Sequence, residues 1–139
     1  MTAPSARHGR GLTMSRWSGS SRIRVTAAAR AAWAGALLVA PERILTAAAG
    51  RAPVPAGAVA AARVLGARHL LQAAAGALAA TSSAAGLGAV VDTVHTASCA
   101  ALAAVSPRWR RVALADAVIE AGFAVAGWTT AGRLRHEPR

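Results

Sequence analysis

The sequence predicts an all-α fold, a four-helix transmembrane bundle behind a basic tail, and composition carries this prediction. Hydrophobic residues make up 55% of the 139-residue chain, and its mean hydropathy is +0.39. Charged residues are only 15%, against roughly 25% in soluble domains. Aromatic residues are 4%, so a soluble core would rest on alanine, which buries little area. In a bilayer, small side chains instead let helix backbones approach closely.

Four apolar segments are separated by turns that contain proline or serine. They cover about residues 27–49, 56–80, 84–105 and 112–131, each near the roughly 20 residues that a bilayer crossing needs. Pro41 predicts a break after Ala40 within the first segment. In the third segment, Asp92 and His95 are the strongly polar side chains, too few for the solvated face that a soluble helical bundle requires. The pattern therefore favours the membrane over that alternative.

Most of the positive charges lie at the ends of the apolar segments or outside them. The net charge is +11, and we predict a disordered basic tail at 1–25, a helical membrane bundle at 26–131 and a basic C-terminal tail at 132–139. Four crossings put both termini on one side, which the arginines predict to be cytoplasmic in a multi-pass protein of the cell membrane. This leaves Arg108, Arg110 and Arg111 outside. A first segment lying in the interface would reverse the orientation of that loop.

The charge distribution also bears on partners. Arginines that cluster at segment ends follow membrane topology rather than a nucleic-acid surface, so the predicted partners are the lipid bilayer and a membrane protein or a second copy of this chain. A tail that tethers the chain to nucleic acid or anionic lipid is the alternative. Cys99 is the single cysteine, which excludes an intrachain disulfide.

A polar cluster is predicted at mid-membrane depth. Arg68, His69 and Gln72 fall within an arc of about 100° on the second helix. Folding the chain at Ser82 places Gln72 level with Asp92. The next fold, near Arg108, places Glu120 at a similar depth on the fourth helix, whereas Asp116 lies nearer the surface. The predicted cluster consists of Arg68, His69, Gln72, Asp92, His95 and Glu120.

Several roles for this cluster are open. Its members can satisfy one another and fix the helix order, with Arg68 paired to Asp92 or Glu120, or they can form a proton relay or a ligand site. A metal on the histidines and carboxylates is disfavoured by the positive charge of Arg68, and nothing besides equal depth supports a haem between His69 and His95. We therefore predict no cofactor and no metal.

The sequence contains none of the short motifs that mark common enzymes. Walker, G-x-S-x-G, HExxH and CxxC patterns do not occur, so an enzyme is the less favoured class and no catalytic residue is assigned. The predicted function is an integral membrane protein with a structural or accessory role. The alternative is a small transporter, or a ligand-binding or proton-relay protein, that uses the polar cluster.

Three short stretches carry a resemblance. They are ARVLGARHLLQ at 62–72, VDTVH at 91–95 and the APER turn at 40–43. Together they resemble uncharacterised small multi-pass membrane proteins of actinobacteria, and the layout is similar to that of DoxX-like four-helix membrane proteins. The resemblance covers about residues 30–128. It implies the four-helix layout and no activity.

Overall fold

The computed structural model describes residues 19–50 and 53–136, and this part of the chain is helical without strands. The described residues form five helices, which are α1 Gly19–Val39, α2 Pro41–Ala49, α3 Ala56–Ala79, α4 Ser82–Val105 and α5 Arg110–His136. The predicted all-α class is confirmed. The three later segments each become one long helix, and the first becomes two.

Local sequence explains where the helices end. Pro41 occupies the first turn of α2, where its missing N–H needs no partner, and the chain bends by 90° between α1 and α2. The break predicted after Ala40 is therefore present. Gly50 ends α2 with a φ of +74°, which glycine adopts without strain. Thr81 caps α4, since its Oγ1 accepts a hydrogen bond from the N–H of Ala84 at 3.2 Å.

Both tails were predicted too long. Helix α1 begins at Gly19, so residues 19–25 are helical, whereas residues 1–18 lie outside the described part. Helix α5 continues to His136, so only 137–139 of the predicted C-terminal tail lie outside it. Arginine is nearly as good a helix former as leucine, and basic side chains in a last turn interact favourably with the helix C-terminus. Polarity alone was therefore a poor sign of disorder here.

The four long helices form two closely packed antiparallel pairs, α1 with α3 and α4 with α5, and contacts between the pairs are fewer. Arg30 meets Gln72, whereas seven residues later Leu37 meets Gly66, so α1 and α3 run in opposite directions. The short α2 lies across the end of the bundle and buries Leu45. Gly19 and His136, at which the described part of the chain begins and ends, therefore lie at the opposite end of the bundle from α2.

The distribution of side chains is the reverse of that in a water-soluble bundle. The largest fully buried side chains are His69, Glu120 and Asp92. Large apolar side chains face outward instead, including Leu71 (72% exposed), Leu78 (87%), Leu87 (68%) and Val118 (73%).

Within the described residues, two helices, α4 and α5, are long and apolar enough to cross a membrane, and the bent α1–α2 pair is a third candidate if it forms one span. This supports the predicted membrane bundle in part. Helix α3 is not among the candidate spans, although it has 24 residues. Its Arg63, Arg68, His69 and Gln72 lower its apolar content, since ionisable and polar side chains are costly in a bilayer.

Gly127 tests the packing of α4 against α5. A Cβ added at Gly127 would lie 2.9 Å from the Cβ of Ala89 and 3.3 Å from the carbonyl oxygen of Ala85. We expect Gly127→Ala to lower stability by about 1–3 kcal/mol, as overpacking does, in thermal unfolding followed by circular dichroism in detergent. Gly122→Ala is the matched control, because a Cβ there meets nothing within 4 Å. Equal melting temperatures for the two variants would contradict this packing.

Candidate functional site

The centre of the bundle holds an ion pair between α1 and α4. Arg30 donates from its two terminal nitrogens to the two carboxylate oxygens of Asp92, at 2.9 and 2.5 Å. The arginine side chain is 7% exposed and the aspartate 0%. The guanidinium also stacks over the ring of Phe123 at 4.3 Å, which adds a cation–π contact. This two-pronged geometry is the strongest form of an arginine–carboxylate pair.

A second ion pair joins α3 to α5 beside the first. Arg68 donates to Oε2 of Glu120 at 2.8 Å and lies 3.8 Å from Oδ1 of Asp92. Nε2 of the fully buried His69 lies 2.6 Å from Oε1 of Glu120. In the described part of the chain, Oε1 of Glu120 has no hydrogen-bond partner. Glu120 is thus paired by charge with Arg68 and lies in close contact with His69.

Gln72 connects the two helix pairs. Its amide oxygen accepts a hydrogen bond from Arg30 at 3.0 Å, and its amide nitrogen donates to Oδ1 of Asp92 at 3.1 Å. Two guanidinium and two carboxylate groups meet here, so their charges cancel. We call this set the buried network; it consists of Arg30, Arg68, His69, Gln72, Asp92 and Glu120.

Five of the six predicted cluster residues lie together in the buried network, and the sixth, His95, does not. His95 does not join the buried network but contacts Asp116 and Cys99 instead. Three residues along a helix leave two side chains about 60° apart, so Asp92 and His95 face different neighbours. Arg30 takes the sixth place and was missed. A charge count could have found it, since Asp92 and Glu120 require two cations and Arg68 supplies one.

His95, Cys99 and Asp116 form a second polar group, which we call the His95 triad. Nε2 of His95 lies 2.9 Å from Oδ2 of Asp116. Sγ of Cys99 lies 3.4 Å from each of those two atoms. The spacing of His95 and Cys99, four residues apart on α4, puts both on one face. Helix α5 supplies Asp116, which was predicted to lie away from the cluster.

An apolar cavity of about 500 Å³ lies between the two helix pairs, towards the end where α2 lies. Its walls are apolar side chains from all five helices, and Trp109 lines it at the loop between α4 and α5. The His95 triad forms the polar part of its wall. From Val112 to Ile119 the cavity follows α5 for about 10 Å. Its size is typical of a small-molecule site.

A smaller cavity approaches the buried network from the opposite end. It has about 70 Å³ and is lined by Arg30, Gln72, Thr26 and Thr130 among others. This is room for a few water molecules, and polar partners for them are present. The buried network therefore lies between two cavities that reach into the bundle from its two ends.

No protein-family model, curated protein or solved structure matches this chain. The resemblance to small actinobacterial membrane proteins and to the DoxX-like layout accordingly stays a prediction. Function has to be argued from the geometry.

Proposed function

We propose that this chain is a multi-pass membrane protein of four crossings that holds an anionic lipid in the apolar cavity between its helix pairs. The reversed distribution of side chains supports the membrane setting. A bilayer stabilises outward-facing Leu71, Leu78 and Val118, and it favours ionisable groups that pair in the bundle interior. Four crossings place both termini on one side, which the positive-inside rule assigns to the cytoplasm.

In this proposal the buried network has a structural role. Its charges cancel, and its members come from α1, α3, α4 and α5. The pairs formed by Arg30 with Asp92 and by Arg68 with Glu120 thereby connect all four long helices across the boundary between the two helix pairs, where contacts are fewer. The network thus keeps the pairs in register and the cavity between them open.

The cavity is the single observation that carries the lipid proposal. Its walls are overwhelmingly apolar, which suits an acyl chain. It ends at Trp109, whose ring lies 5.4 Å from the guanidinium of Arg108. Arg108 and Arg111 are exposed at this end, where tryptophan and arginine favour the headgroup region. A phosphate there would complement the arginines, so the proposed occupant is an anionic phospholipid.

Filling the cavity is expected to release the lipid. Ala58 lines the cavity on α3, so Ala58→Trp should lower the phosphatidylglycerol that stays bound in native mass spectrometry of the protein released from nanodiscs. Ala60→Trp, an exposed position on the same helix outside the cavity wall, is the matched control. Arg108→Ala should reduce the preference for phosphatidylglycerol over phosphatidylcholine about fivefold, since one basic side chain contributes about 1 kcal/mol. Equal lipid retention by the two tryptophan variants would contradict the proposal.

A proton relay through the buried network is the second candidate function. The unpartnered Oε1 of Glu120, 2.6 Å from His69, favours it, as do the two cavities on either side of the network. A proton can reside on the imidazole or the carboxylate at such a contact. The relay requires the wild type to dissipate a pH gradient in proteoliposomes and Glu120→Gln to abolish that flux. The proton relay would be excluded if liposomes that contain the wild-type protein hold a pH gradient as long as protein-free liposomes do.

A further inference from the structure

We propose that the His95 triad is a zinc site, with Nε2 of His95, Sγ of Cys99 and Oδ2 of Asp116 as its three protein ligands. This inference does not depend on the lipid proposal. The three atoms all lie within 4.8 Å of one another. Imidazole, thiolate and carboxylate are the three ligand types that zinc takes from proteins.

The distances fit a tetrahedral ion. With zinc bonds of about 2.0–2.1 Å to nitrogen and oxygen and about 2.3 Å to sulfur, tetrahedral ligand atoms lie about 3.3–3.6 Å apart. The two distances from Sγ of Cys99 are 3.4 Å, and the distance from Nε2 of His95 to Oδ2 of Asp116 is 2.9 Å. Binding would therefore require these atoms to separate by a few tenths of an ångström only, without a change in the helices.

Hydrogen bonding alone leaves the contact between His95 and Cys99 weak. The thiol and the imidazole N–H can each donate to Oδ2 of Asp116. Nε2 of His95 then carries a proton and has no lone pair, so Sγ of Cys99 can only accept weakly from the same N–H. A cation in the centre attracts all three atoms at once.

Charge also favours a divalent cation here. A thiolate, a carboxylate and a neutral imidazole sum to two negative charges, which Zn²⁺ cancels. The neighbouring buried network is itself neutral, so the loaded bundle would carry no net charge at this depth. The soft thiolate selects zinc over magnesium or calcium.

The fourth ligand position would face the apolar cavity, because all three residues line it. Zinc sites with three protein ligands keep their fourth position for water or another small ligand. Backbone geometry supports the site as well, since His95 and Cys99 are one turn apart on α4 and Asp116 faces them from α5.

Cobalt(II) titration of the full-length protein in detergent tests this site. We expect one Co²⁺ per chain, a near-ultraviolet thiolate-to-cobalt band, and displacement of the Co²⁺ by Zn²⁺. Cys99→Ser should abolish that band, and Asp116→Asn should weaken Zn²⁺ binding at least about tenfold. Both substitutions are nearly isosteric, and circular dichroism verifies that the variants keep their helices.

His136→Ala is the matched control, since this histidine is exposed at the end of α5 and outside the triad. It should bind both metals as the wild type does. Two results would overturn the proposal. One is a folded wild type that binds no Co²⁺; the other is binding that persists at wild-type affinity in Cys99→Ser and Asp116→Asn, which would place the metal elsewhere.

Discussion

Asp92→Ala is expected to deplete the folded protein from membranes more strongly than almost any other single substitution. It leaves Arg30 buried and without the carboxylate that accepts both of its terminal nitrogens. Removing one partner of a buried ion pair lowers the free energy of unfolding by about 3–5 kcal/mol. That corresponds to a loss of roughly a hundredfold or more in the ratio of folded to unfolded protein. Quantitative immunoblotting of washed membranes measures the effect.

A double substitution distinguishes the loss of the ion pair from a general loss of packing at Asp92. Arg30→Met with Asp92→Leu removes both charges and keeps apolar volume, which is often neutral for a buried pair, so we expect most of the protein to return. Arg68→Met with Asp92→Leu should recover less, because Arg30 then stays without its direct partner. Wild-type amounts of Asp92→Ala, or better recovery with the Arg68 pair, would contradict the assignment of Arg30 to Asp92.

Glu120→Ala is the second variant with a large expected effect. Glu120 is fully buried and balances Arg68 at 2.8 Å while lying 2.6 Å from His69. Its removal leaves an excess positive charge in the bundle, with a penalty of about 3–5 kcal/mol. Arg68 is 25% exposed and can move partly towards water, so the loss should be smaller than for Asp92→Ala. Membrane abundance and thermal unfolding in detergent measure both.

Glu42→Ala is the control for Glu120→Ala. Glu42 is an exposed carboxylate in the first turn of α2, where a surface substitution changes stability by about 0.5 kcal/mol or less. A Glu120→Ala protein as abundant and as stable as Glu42→Ala would show that the Arg68–Glu120 pair does not hold α3 to α5.

The helices were more predictable from sequence than the tails. Apolar length between Pro55, Ser82 and Pro107 defined α3, α4 and α5 to within a few residues at most boundaries, because proline and small polar residues end helices by local chemistry. The ends of the chain were less predictable. Residues 132–136 include the good helix formers Arg133, Leu134 and Arg135, whereas residues 19–25 begin with Gly19 and two serines, which do not indicate a helix. Polarity dominated the interpretation of both stretches.

Depth along the helices was predictable, but direction around them was not. The level assigned to Gln72 and Asp92 agrees with their hydrogen bond, since helical rise is regular. His95 was assigned to the same face as Asp92 although about 60° separates them, and this angle decides between the buried network and the His95 triad. Arg30 was left out of the predicted cluster because it lies near the start of its apolar segment. Its depth in the bundle depends on the bend at Pro41, and the sequence does not give the angle of that bend.

Alkaline carbonate extraction of the expressed wild-type chain tests whether the bundle spans the bilayer. A bundle that spans the bilayer, with apolar side chains outside and ion pairs inside, should stay in the membrane pellet at high pH and enter solution only with detergent. Release of the chain by carbonate or by salt would contradict the transmembrane account, and the exposed leucines and valines of α3 and α4 would then require a different covering.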